Sequence, residues 1–146
     1  MGLTLSWLAG FLDGEGCVRL SSFKNKKTER LSFCPWVSIT NTDLPTLKAI
    51  QAEYGGNLYL GKEGGKHYKG SKNSFVLVWQ GKRAIEFLKL IAPYVILKKP
   101  QIELMLASYA PRNHVRLSEH AINQRVQLQS QLTDLKNINY CLQKEN

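Results

Sequence analysis

The chain has 146 residues, 43% hydrophobic and 21% charged, which is enough apolar material for one packed domain and too much for a disordered one. Its formal net charge is +9, from 20 Lys and Arg against 11 Asp and Glu, an excess that favours an anionic partner, with nucleic acid the commonest. No apolar run approaches the ~20 residues of a membrane span, no charged-then-apolar leader is read at the start, and Cys17, Cys34 and Cys141 form no C-x-x-C pair that would make zinc ligands with His67, His114 or His120.

In chain order, Thr4 can cap a first helix over about 5–13, which contains Leu8-Ala9-Gly10-Phe11-Leu12-Asp13 and runs into Gly14-Glu15-Gly16. Glycine costs a helix about 1 kcal/mol against alanine, so Gly10 and Gly14, four apart on one face, need a reason. A flat groove that lets a second helix approach backbone-close supplies one. From Cys17 the period changes to two: Val18 and Leu20 point one way, Arg19, Ser21 and Phe23 the other. A basic turn, Lys24-Asn25-Lys26-Lys27, leads to a strand over 31–40. There Phe33, Val37 and Ile39 share one face and Ser32, Cys34, Trp36, Ser38 and Thr40 the other, while Pro35 predicts an edge or a bulge.

Asp43 can cap a second helix with Pro45 in its first turn and an apolar stripe of Leu47, Ile50 and Tyr54, ended by Gly55-Gly56. A second hairpin spans 58–61 and 75–80, its strands joined by a glycine-rich loop carrying Lys62, Lys66, His67, Lys69 and Lys72. A third helix covers about 82–92 on Ile85, Leu88 and Ile91. Pro93 and Pro100 bracket 94–99, a helix continues through Ile102, Met105 and Leu106 to Tyr109, and Pro111-Arg112-Asn113 breaks it. A last helix over about 118–138 carries Ile122, Val126, Leu128, Leu132 and Leu135. The order is α-β-β-α-β-β-α with a C-terminal helical extension from about 111 to 146, one domain whose core is about 1–110. That order predicts an α+β fold, an antiparallel sheet with helices on one side and the other side free.

A carboxylate at the negative end of a helix dipole, such as Glu15, is disfavoured unless a cation compensates. If two chains pair through Ala9, Gly10 and Gly14, two-fold symmetry brings two Glu15 side chains together, and divalent cations relieve their repulsion. Hard oxygen donors favour Mg²⁺, and metal ions a few ångströms apart can stabilise the attacking and leaving oxygens of phosphodiester hydrolysis.

The segment 8–16, LAGFLDGEG, also resembles the signature of the LAGLIDADG homing endonucleases, and the order of elements fits that family over roughly the first 110 residues. The resemblance implies a saddle-shaped antiparallel DNA-binding sheet backed by helices. Glu15 would be the metal-binding acid and Gly14 the donor of a backbone carbonyl to the metal. Leu8, Ala9, Gly10, Phe11 and Asp13 would belong to the dimer interface. The cofactor would be Mg²⁺, for which Ca²⁺ or Mn²⁺ can substitute. Chains with one motif in this family act as homodimers on long, near-palindromic double-stranded DNA, cut both strands across the minor groove and leave 3′ overhangs. Asn41 would be a polar amide near the scissile phosphate, and Lys98, with Gln101 nearby, would organise water and stabilise phosphate charge. Some relatives carry an arginine four residues after the amide, where this chain has Pro45. DNA contacts are expected from Arg19, Ser21, Phe23, Asn25, Lys26, Ser32, Ser38 and Thr40, and from Lys62, Lys66, Lys69 and Lys72 in the long loop.

Each residue also has a plainer reading. Asp13 fits a structural hydrogen-bonding role as well as a ligand, Lys98 and Lys99 can be solvated charges, and Trp36 and Trp79 fit packing better than base contact. Two alternatives stay open beside an intron-encoded endonuclease: a maturase bound to intron RNA, and a catalytically silent DNA-binding regulator. The expected location is inside the cell, in an organelle or in a prokaryotic or phage-infected cytoplasm, with no membrane partner.

Overall fold

A computed structural model of the chain describes residues 2–66, 68–109 and 117–144, with side chains to residue 137. His67, His114, the break at Pro111-Arg112-Asn113 and the side chain of Cys141 lie outside the described residues. The elements run α1 (Leu5–Glu15), β1 (Gly16–Lys24), β2 (Leu31–Asn41), α2 (Leu44–Tyr54), β3 (Asn57–Leu60), β4 (Phe75–Gln80), α3 (Lys82–Ile91), α4 (Lys99–Ser108) and α5 (Glu119–Lys144). The four strands form one antiparallel sheet in the order β1-β2-β4-β3. The fold is the expected α+β arrangement of two helix-led hairpins.

The core follows the two periodicities. On the sheet, Val18, Leu20, Phe33, Val37, Ile39, Leu77 and Trp79 are buried on one face, and α1, α2 and α3 pack there. α1 contributes Leu8, Ala9 and Leu12, α2 contributes Leu47 and Ile50, and α3 contributes Ala84, Ile85, Phe87, Leu88 and Ile91. Trp79 stacks on Phe87 at 4.0 Å and donates its indole N–H to the Tyr54 carbonyl at 3.0 Å, so it is the packing residue expected.

Several expectations need correction. Pro35 lies in an inner strand, not at an edge. Its carbonyl accepts from Gly81 N–H at 2.9 Å, at the point where β4 has ended, so its missing N–H removes no ladder bond. α1 is two residues longer than expected and ends on Glu15. Asp43 sits at the N-cap position of α2, but its side chain accepts from the Thr46 hydroxyl and caps no backbone N–H. On α5, Ala121, Leu128 and Leu132 are buried and Ile122 packs against the core, whereas Val126 is 45% exposed.

α5 packs on α4 and along β1. β1 is an edge strand, and an uncovered edge presents unpaired carbonyls. Gln129 Nε2 donates to the Leu20 carbonyl at 2.7 Å and to Ser22 Oγ at 3.1 Å, so the C-terminal helix satisfies part of that edge.

Candidate active site and nucleic-acid interface

The Thr4 hydroxyl accepts from Trp7 N–H at 3.2 Å and starts α1 as the sequence predicts. The far end is unusual, because Gly16 is at once the helix cap and the first residue of β1. Its N–H donates to the Leu12 carbonyl. A Cβ at Gly16 would lie 2.4 Å from Leu12 Cδ1 and 2.5 Å from Leu12 O, so only glycine lets the chain pass from helix to strand without a linker. Glu15 is thereby held at the very tip, exposed, with no hydrogen bond or ion pair to any described residue.

The last carbonyls of α1, that of Gly14 among them, have no partner within the helix. An unpaired carboxylate and a free carbonyl therefore share the negative end of a helix dipole, a place that favours a cation. Both are hard oxygen donors and fit Mg²⁺ or Ca²⁺. Among the described residues no group of three or more His, Cys, Asp and Glu side chains could hold a metal.

The Asp13 carboxylate accepts from three successive backbone N–H groups of its own chain, Ile96 at 2.8 Å, Leu97 at 3.0 Å and Lys98 at 2.9 Å. It clamps the turn that enters α4, which is the structural hydrogen-bonding role the sequence allowed for it. The clamp delivers Lys98, whose Nζ donates to the Asp13 carbonyl at 2.5 Å. Lys98 is half-buried, and its pKa is lowered: burial penalises the ammonium and Lys136 repels it, with Asp13 and Cys17 acting in the opposite direction. Gln101, one turn on, is 4% exposed, and its Oε1 has no hydrogen-bond partner among the described residues.

Gly16 pairs with Ile39, so the end of β2 carrying Thr40 and Asn41 lies at the same end of the sheet as Glu15. The structure thus brings Glu15, Lys98 and Asn41 to one end of the sheet. The Asn41 Oδ1 accepts from Asp43 N–H at 2.8 Å, and its NH₂ makes no hydrogen bond to a described residue. Pro45 is confined to the first turn of α2 and supplies no charge there.

Arg19, Ser21, Phe23, Ser32, Ser38 and Thr40 all lie on the sheet face opposite the core, as the alternation predicts. Two residues were missed there. Trp36 is on this face, directly opposite Arg19, whose guanidinium stands over its ring at 5.0 Å from the centroid. Gln80 is the next residue across, paired with Trp36. The alternation of β2 already placed Trp36 outward, so the signal was present.

At the hairpin tip Asn25 is committed to the turn. Its Oδ1 accepts from Lys27 N–H at 2.9 Å and Thr28 N–H at 3.1 Å, which leaves less of it for DNA than expected. Lys26 is exposed. In the second loop Lys66 is paired with Glu63 at 2.5 Å, while Lys62, Lys69 and Lys72 are exposed and make no ion pair with a described residue.

On α1, Leu8 and Ala9 are 0% exposed in the subunit's own core. The side of the helix turned away from that core carries Trp7, Gly10, Phe11 and Gly14. Trp7 and Phe11 stack at 5.1 Å, and nothing lies within 4 Å of a Cβ built on Gly10 or Gly14. Ile96 (79% exposed) and Leu97 (58%) stand on the turn held by Asp13, an apolar pair that sequence reading passed over. No helix among the described residues is long and apolar enough to cross a membrane.

No family model and no curated protein matches the chain. Solved structures do. The homing endonuclease I-CvuI, in complex with its target in the presence of calcium, has a TM-score of 0.74 at 20% identity, covering 96% of this chain and 92% of that one. The archaeal intron-encoded homing endonuclease I-Vdi141I, complexed with DNA, has a TM-score of 0.70 at 23% identity over 90% of this chain and 82% of that one. The LAGLIDADG homing endonuclease I-LtrWI, bound to target DNA, has a TM-score of 0.67 at 18% identity over 87% of this chain but 43% of its own. At these identities the likeness is one of architecture, and the chain has the fold of the LAGLIDADG homing endonucleases.

Proposed function

We propose that the chain is a site-specific DNA endonuclease that works as a homodimer and cuts both strands of a long, near-palindromic duplex by Mg²⁺-dependent phosphodiester hydrolysis, leaving 3′ overhangs. The observation that carries this reading is Glu15, an unpartnered acid at the tip of α1, beside Lys98 and at the end of an open sheet face that carries Arg19 and is flanked by lysine-bearing loops.

The outer face of α1 supports the homodimer. It is apolar, it has room at Gly10 and Gly14 for close backbone approach, and exposed Ile96 and Leu97 stand on the turn tied to the end of α1. An isologous pair through that face would bring two Glu15 carboxylates and two Gly14 carbonyls together. That the chain spans 43% of I-LtrWI, a DNA-binding chain of the same fold, is consistent with two copies doing the work of one longer chain. Bound divalent cations would neutralise phosphate charge and polarise the scissile group. Within this chain, Lys98 would hold an ammonium near the phosphate, Asp13 would keep that lysine in place, and the NH₂ of Asn41 would orient water. The sheet face would read bases in the major groove, where base pairs are fully distinguishable.

The test is selection of duplexes from a randomised library in Ca²⁺ and in Mg²⁺, with the parent chain and Glu15→Gln. The parent is expected to bind one near-palindromic family in Ca²⁺ and cut it in Mg²⁺, with cutting abolished by EDTA. Glu15→Gln should keep binding and lose cutting. Binding without cutting by the parent would make the protein a regulator, and unchanged cutting by Glu15→Gln would sink the role of the acid.

A further inference from the structure

We propose that Lys136 of α5 forms, with Lys98, a binding site for a DNA backbone phosphate beside Glu15, so that the C-terminal helix is part of the active centre. This rests on the endonuclease reading above and adds to it a helix and a residue that the motif does not contain.

Gln129 holds α5 against the Leu20 carbonyl and Ser22 Oγ, at 2.7 and 3.1 Å, and so fixes the rotation of the helix. Seven residues later, about 10 Å further along the axis at 1.5 Å per residue, Lys136 extends to Cys17, with Nζ 3.2 Å from Sγ. Cys17 is on the open face of the sheet, two residues after Glu15. Lys98 Nζ is on the Asp13 carbonyl, two residues before Glu15. Two ammonium groups, one from the turn entering α4 and one from α5, are therefore held on the residues two before and two after the exposed acid.

Neither cation is engaged in an ion pair among the described residues. The Asp13 carboxylate is taken up by three backbone N–H groups. The two lysines are close enough for Lys136 to weaken the protonated form of Lys98. Two partly buried like charges held near Glu15 by separate elements are unfavourable alone and complementary to an anionic backbone phosphate between them. A packing role alone would not require the charge, since the aliphatic stem of Lys136 covers β1 equally well without it.

The experiment uses the full chain with Lys136→Met, which keeps the stem and loses the charge, and Lys136→Arg, which keeps the charge. On the duplex that the parent selects, measured in Ca²⁺, Lys136→Met is expected to lower the slope of log K against log salt by about one per subunit. In single-turnover reactions with Mg²⁺ it should slow cutting by about 100-fold, and Lys136→Arg should restore most of both. A Lys136→Met protein with unchanged slope and cutting overturns the proposal, and a lowered Tm in that protein would reduce Lys136 to a clasp on Cys17. A parent chain that selects no duplex removes the endonuclease reading instead. Phosphate binding is then read directly, by titrating a mixed-sequence duplex against ¹⁵N-lysine protein. Shifts of the Lys98 and Lys136 Nζ signals support the paired site, and their absence overturns it.

Discussion

Lys98 is held where its charge is costly. Burial and the neighbouring Lys136 lower its pKa from the ordinary 10.5, more than Asp13 and Cys17 restore it. The unfolded chain therefore binds more protons than the folded chain between that lowered value and 10.5. Below the window the protonated lysine destabilises the fold, and stability rises with pH through the window as the cost is relieved. Lys98→Met is thus expected to lose cutting while its Tm at neutral pH equals or exceeds the parent's, the difference shrinking as the pH approaches 10.5. Thermal scans from pH 7 upward check this, and a lower Tm at pH 7 would make the ammonium a structural clamp. At this scale the sequence was informative about residue type and less so about partner. Glu15 could be singled out by its motif, and Lys98 by the resemblance of its segment to the family's lysine-bearing stretch. That the Asp13 carboxylate holds the backbone of residues 96–98 could not be read, since the partners are main-chain groups 83 to 85 positions away. Trp36 was weighed as packing because a large aromatic usually packs, although its register places it over the open face under Arg19.

At the scale of elements, the passage from α1 to β1 decides where the acid stands. A Cβ at Gly16 would meet both the side chain and the carbonyl of Leu12, and the carbonyl cannot move without unwinding the last turn of the helix. Gly16→Ala is expected to cost about 1–3 kcal/mol by overpacking, seen as a shift of the urea midpoint. It should also slow cutting beyond what the lost stability explains, because Glu15 is displaced with that turn. Cutting that tracks the folded fraction alone would contradict this. The hairpins, their alternating faces and the three core helices were legible because periods of 2 and 3.6 are properties of the chain itself. Strand order was not: Pro35 argued for an edge, yet β4 stops one residue short of needing its N–H. Nor could the helix period of α5 show that a glutamine side chain docks it on a strand edge more than 100 residues away.

For the molecule as a whole, the decisive surface is the one that a single chain leaves bare. Trp7, Ile96 and Leu97 put apolar side chains into solvent beside two glycines and the half-buried Phe11, an arrangement that fits a self-complementary contact. Leu8 and Ala9 could not be separated from this face by reading the motif, because neighbouring apolar positions on a helix divide between inside and outside only once the packing is known. The distinction can be tested at Gly10. A Cβ there meets nothing within 4 Å, so Gly10→Glu leaves the subunit core intact and even gains helix propensity, glycine being about 1 kcal/mol poorer than the best helix former. In a pair the same carboxylate would be buried without a partner against its own symmetry copy, a heavily penalised arrangement. Gly10→Glu is therefore expected to keep its circular dichroism and its thermal transition, to sediment as a monomer where the parent is a dimer, and to lose double-strand cutting. Two half-sites joined in one near-palindromic duplex should then be bound more weakly, because the second contact is no longer tethered to the first. A dimer that survives the substitution would move the pairing face away from α1 and separate the two Glu15 residues on which paired cutting depends.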